Sequence, residues 1–103
     1  MARIVITRSA DEDISEILAF LAAKAGYGVA TKYNAFFEQL YDNLADFPDS
    51  GAPRPKVGAK IRIAIVSPYV VIYQYTEADD TARVLRIVHG RRKIAGKLLR
   101  GPS

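Results

Sequence analysis

Apolar positions along this chain recur first with a period near 3.6 and later with a period of two, and the switch divides it into helices and strands. Arg3–Thr7 (R-I-V-I-T) is a compact β-branched run that predicts a first strand. Ser9-Ala-Asp-Glu12 then has the S-x-x-E spacing of a capping box, with acids in the first turn where the helix dipole favours them. Ile14, Ile17, Leu18 and Leu21 fall at i, i+3, i+4 and i+7, one buried helical stripe that Gly26 ends. Ala30, Tyr33, Phe37, Leu40, Leu44 and Phe47 alternate steps of three and four in a second helix, stopped by Pro48 and Gly51. The link around Gly26–Gly28 is short, so the two helices are expected to form an antiparallel hairpin.

Pro48, Gly51, Pro53, Pro55 and Gly58 make Pro48–Gly58 a loop. Beyond it the period is two. Lys60–Val66 sets Ile61, Ile63 and Ile65 on one face and Lys60, Arg62 and Ala64 on the other. Ser67-Pro68 turns the chain into Tyr69–Tyr75, where Tyr69, Val71, Tyr73 and Tyr75 share a face; Glu77–Asp80 turns it again into a last strand, Arg83–His89. Gly90 breaks that strand, and Ile94–Leu99 is expected to form a final helical turn. Short connections between successive strands imply an antiparallel meander. The fold class is therefore α+β: a single domain over residues 1–103, with a two-helix hairpin packed on a mainly antiparallel four-stranded sheet. The place of the first strand in that sheet stays open.

Composition removes several function classes. With 103 residues, half of them apolar and a quarter charged, the chain is ordinary for one globular domain with its own core. It has no cysteine, which excludes disulfide scaffolds, Cys-type zinc sites and thiol nucleophiles. No signal peptide, membrane-spanning stretch, cofactor motif or metal motif is legible, so the expectation is a cytoplasmic protein without cofactor, metal or membrane partner. Charge is unevenly spread. Residues 1–50 hold four Lys/Arg against eight Asp/Glu, and residues 51–103 hold eleven against three. No acid follows Asp80, whereas Arg83, Arg86, Arg91, Arg92, Lys93, Lys97 and Arg100 do. That asymmetry beside an apolar strand points to an anionic partner and not only to a solubilising face.

Two segments carry a resemblance. Ser67-Pro-Tyr-Val-Val-Ile-Tyr73 and Val84-Leu-Arg-Ile-Val-His-Gly-Arg-Arg92 are similar to the C-terminal half of ParE-like toxins of the RelE/ParE type II toxin-antitoxin superfamily. Upstream, the helical hairpin, the F-P-x-x-G loop at Phe47–Gly51 and a strand bearing Arg62 follow the same order, so the resemblance covers nearly the whole chain. It implies a growth-inhibiting toxin from a plasmid or chromosomal stabilisation module, neutralised by a cognate antitoxin whose C-terminal segment wraps around it. ParE-like members poison DNA gyrase, and RelE-like members cut mRNA on the ribosome. Lys93 stands where the motif commonly continues with an acid, which adds positive charge and removes a partner for Arg91 or Arg92.

Three readings of the chemistry follow. A ribonuclease needs an acid, a base and cations on the phosphate, for which His89, Arg62 and Arg86 are the candidates, with Arg91 and Arg92 as further clamps. The stretch after His89 supplies no Tyr, His, Asp or Glu as a second acid or base. A gyrase poison needs only a firm binding surface, for which Arg86, His89, Arg91, Arg92 and Lys93 beside Ile94, Leu98 and Leu99 are suited. An inactive binding module is the third. For the antitoxin, the expected contacts are the off-stripe aromatics Phe20, Phe36 and Tyr41, taken as exposed, together with Arg62. Plainer roles stand beside each of these. His89 is placed to hydrogen-bond its own loop, Arg62 and Arg86 to cover apolar sheet with their stems, and the tyrosines to pack across strands. Gly90 is expected to adopt a backbone angle that a Cβ forbids.

Overall fold

Strand β1 (Arg3–Ile6) hands the chain at Thr7 directly to helix α1 (Arg8–Ala25). The computed structural model describes residues 1–92 together with Leu98 and Leu99. Thr7, not Ser9, is the N-cap: its hydroxyl accepts from Ala10 N at 3.3 Å and donates to Val84 O at 2.7 Å. The helix starts as soon as the chain leaves the sheet, so Ser9 already lies in the first turn, and Glu12 pairs with Arg8 instead (3.3 Å). Gly26 alone separates α1 from α2 (Tyr27–Asp46); its φ of 97° is the left-handed angle that glycine adopts without a Cβ penalty.

The sheet has five strands among the described residues, in the order β1-β5-β4-β3-β2. The additional strand is β2 (Ala52–Pro53), two residues of the expected loop that pair with Ile63 and Arg62 of β3 (Ile61–Val66). Proline is tolerated there because β2 is an edge. β3, β4 (Tyr69–Thr76) and β5 (Thr81–His89) form the antiparallel meander, with a turn of 3₁₀ helix at Glu77–Asp79. The place of β1, left open by the sequence, is at the edge beside β5. The strand lies parallel to β5, Ile4 opposite Ala82 and Ile6 opposite Val84. Helices and three strands separate the two in sequence, so the short-connection argument does not govern this pair.

The sheet is apolar on both faces. Tyr69, Val71, Tyr73, Val84 and Ile87 meet Phe37 and Leu44 of α2 and Ala10 of α1. On the opposite face Ile61, Ile63, Val70, Ile72 and Val88 are covered by Val57, Leu85, Leu98 and Leu99. Tyr69–Tyr73 is consequently buried at every position, the mark of a central strand covered on two sides. Tyr73 also anchors the α2–β2 loop, donating to Pro48 O (2.9 Å) and accepting from Gly51 N (2.8 Å). A Cβ on Gly51 would lie 2.7 Å from Ile63 O, so only glycine fits that approach.

Candidate functional site

The basic end of β5 is shaped by a β-bulge. Tyr73 pairs with Val84 but Ile72 pairs with Arg86, so β5 holds one extra residue there. A bulge re-aims side chains, and Arg86 reaches α1. Asp13 accepts from Arg86 Nε (2.7 Å) and from the Ile87 amide (2.9 Å) on Oδ2, and from Arg86 Nη2 (3.0 Å) on Oδ1. Arg86 Nη1 donates further to Leu98 O at 3.0 Å. Both side chains are largely buried, at 16% and 13% exposure. The hydrogen bond to Asp13 raises the Arg86 pKa, with burial opposing it. One guanidinium thus ties α1, β5 and the segment at Leu98 together.

Other cations are engaged internally as well. Arg62 Nη1 donates to Asp49 O (2.9 Å) and Gly51 O (2.8 Å), bracing the loop that Tyr73 anchors. Arg83 pairs with Asp79 at 2.7 Å, which lowers the Asp79 pKa. The guanidinium groups of Arg62, Arg83 and Arg86 are therefore engaged by acceptors of the chain itself. Arg91 and Arg92 are exposed and make no ion pair among the described residues. Lys93 and most of the Ile94–Leu99 turn lie outside the described residues.

His89 is exposed at the end of β5. Its Nδ1 accepts from Arg91 N (3.1 Å), and its ring meets Tyr69 edge-on at 5.9 Å. The loop hydrogen bond expected of a structural histidine is present. Gly90 has no positive φ; what it needs is room, since a Cβ would stand 3.0 Å from Pro68 O. A groove of about 330 Å³ runs between α1 and this strand end. Asp13, Glu16, Ile17 and Phe20 line it from α1, and Tyr69, Ile87, His89 and Arg92 from the sheet and the end of β5. Asp13, Glu16, Ile17 and Phe20 are the residues that sequence reasoning did not connect to His89. Their spacing of three and four along α1 was the available signal, but nothing in it names β5 as the neighbour.

The expected antitoxin contacts separate. Phe20 is 57% exposed and lines the β5 groove, while Phe36 is 41% exposed in a second groove beside Leu40, Ile65 and Val66. Tyr41 corrects the expectation of exposure: at 9% it belongs to the helix–sheet core. Arg62 lies in a third depression with Asp49, Lys60 and Glu77 and is not brought to His89. The ribonuclease set His89, Arg62 and Arg86 therefore does not converge. Among the described residues no cluster of His, Asp and Glu is placed to hold a metal ion, and no helix is long and apolar enough to cross a membrane.

The architecture is thus two helices on a mixed five-stranded sheet whose β5 ends in basic residues. Residues 4–94 match the family described as ParE toxin of type II toxin-antitoxin system, parDE, and the chain belongs to that family. Toxin ParE3 of Caulobacter vibrioides is 28% identical over 98 residues, which span 95% of this chain and 96% of that protein. The fold is similar to a chromosomal ParDE toxin-antitoxin system from P. aeruginosa: TM-score 0.72, 21% identity, 86% of this chain and 96% of that one covered. It is also similar to the RelBE2 toxin-antitoxin complex of Mycobacterium tuberculosis: TM-score 0.63, 20% identity, 85% and 96% covered.

Proposed function

We propose that this ParE-like toxin arrests growth in the cytoplasm by trapping DNA gyrase through the end of β5, and that a cognate antitoxin neutralises it. Arg91 and Arg92 are the charged contacts, with His89 beside them and Lys93 continuing the run; Arg86 holds the strand end in place from behind. The observation that carries this reading is the division among the arginines. Arg62, Arg83 and Arg86 are satisfied by the chain's own acceptors, whereas the exposed pair sits on a braced strand end, a firm basic surface that needs no chemistry of its own. The antitoxin is supported by the family and by structural neighbours that are toxin-antitoxin assemblies. Phe20 and Phe36 supply exposed apolar anchors for it.

One observation favours the ribonuclease as a second reading. Glu16 and Arg92 share the groove with His89, which gives an acid–base pair and a cation. Against it, the Glu16 carboxylate repels a phosphate backbone, and the Arg62 and Arg86 clamps are occupied.

Expression of the chain without antitoxin separates the readings. The expected outcome is growth arrest with DNA breaks, lifted by the double substitution Arg91→Ala/Arg92→Ala while antitoxin binding falls only in part. Cut transcripts in translating cells, lost in His89→Gln and Glu16→Gln, would replace gyrase with mRNA as target. Normal growth at verified expression would leave an inactive binding module.

A further inference from the structure

Phe36, Gln39, Leu40 and Asn43 fall at i, i+3, i+4 and i+7 on α2 and form one stripe along it. With Ile65, Val66 and Ser67 of β3 and its turn they line a groove of about 290 Å³. None of these seven residues is charged, although a quarter of the chain is. Phe36 and Ile65 are 41% and 58% exposed there. Charge appears only at the two ends of the stripe. Lys32 lies one turn before Phe36, its ammonium 5.9 Å from the centre of that ring. Asp46 lies one turn after Asn43, as the last residue of the helix. Both are exposed, and neither makes an ion pair among the described residues. Asp46 also stands at the negative end of the helix dipole, where an acid is disfavoured.

We propose that this face is a self-association surface, on which α2 packs antiparallel against α2 of a second copy. A two-fold contact sets each residue near the axis beside its own copy, so charge at the centre repels itself while opposite charges at the two ends pair. Gln39 and Leu40 occupy the centre, and Lys32 and Asp46 are equally far from Gln39 along the helix. Turning the stripe about that point lays Lys32 of each copy beside Asp46 of the other, twice per dimer. The antiparallel neighbour also brings the positive end of its own dipole toward Asp46. Phe36 of each copy meets the other's groove near Leu40 and Asn43, which takes two exposed rings out of water. A partner of different sequence needs none of this end-to-end charge reversal, which is the reason to assign the face to the chain itself. One helix face buries less than the roughly 800 Å² per partner of a standard interface, so the association is weak, with a Kd on the order of tens of micromolar. The inference does not rest on the functional reading, since it concerns the chain without antitoxin.

Sedimentation velocity of the full chain, free of antitoxin, tests this over a range of about 5 to 500 μM, within which a weak dimer forms and dissociates. The chain is expected to pass from monomer to dimer as concentration rises. Lys32→Asp and Asp46→Lys each weaken the dimer by about fivefold, and the double substitution Lys32→Asp/Asp46→Lys restores it. Phe36→Ser weakens it by about tenfold. Restoration is the result that a variant damaged in its own folding does not give. A chain that stays monomeric at every concentration overturns the proposal; a weakened antitoxin complex of Phe36→Ser in that case assigns the groove to the antitoxin. A dimer indifferent to both single charge reversals, or not recovered by the double one, overturns the antiparallel pairing of α2.

Discussion

Tyr41 carries the one buried side-chain polar atom without a hydrogen-bond partner among the described residues. Burial, then Glu38 and Asp11, push its pKa up to about 12. The phenol is a better acid unfolded than folded, so between about pH 10 and 12 the folded chain holds more protons and stability falls as pH rises. Tyr41→Phe removes both the unpaired hydroxyl and this titration. It is expected to raise stability by about 1 kcal/mol at neutral pH and to flatten the alkaline limb of a denaturation series. An unchanged midpoint would mean the hydroxyl is satisfied in solution. Tyr41 also shows why its role was not legible: an aromatic off the main helical stripe reads as exposed until a second element is laid on that flank. Phe20, equally off-stripe, has no such neighbour and stays exposed at 57%.

Helix α1 and strand β5 are joined by a contact that neither sequence pattern contains. The Asp13–Arg86 pair is shielded and multiply hydrogen-bonded, so Arg86→Ala strands a carboxylate and is expected to cost about 3 kcal/mol in chemical denaturation. Arg83→Ala, which breaks a more exposed i,i+4 pair, is expected to cost much less. Equal losses would remove the bracing role of Arg86. The α1 stripe, the α2 stripe and the three-strand meander were all readable, because their apolar periods are local properties of each segment. The cap was misplaced by two residues, since Ser9 and Thr7 are both competent and only the Val84 carbonyl selects Thr7. The parallel β1–β5 pairing and the bulge at Arg86 were beyond local reading, being set by partners some eighty residues away or across the strand.

For the molecule as a whole, a sheet apolar on both faces needs two covers. The helices supply one, and Val57, Leu85, Leu98 and Leu99 the other. Leu98→Asp/Leu99→Asp is expected to lower stability by about 2–3 kcal/mol and to increase binding of a hydrophobic dye. A variant that keeps its stability and binds no more dye would show that this face needs no cover. From the sequence alone came the element order, the α+β class, the family and the concentration of positive charge after Asp80, because periodicity, motif order and charge are carried by neighbours along the chain. Only the tertiary structure decided which of those charges are free. A guanidinium is spent or available according to the acceptor that folding brings beside it: Asp13 meets Arg86, Asp79 meets Arg83, and Arg91 and Arg92 are left facing solvent.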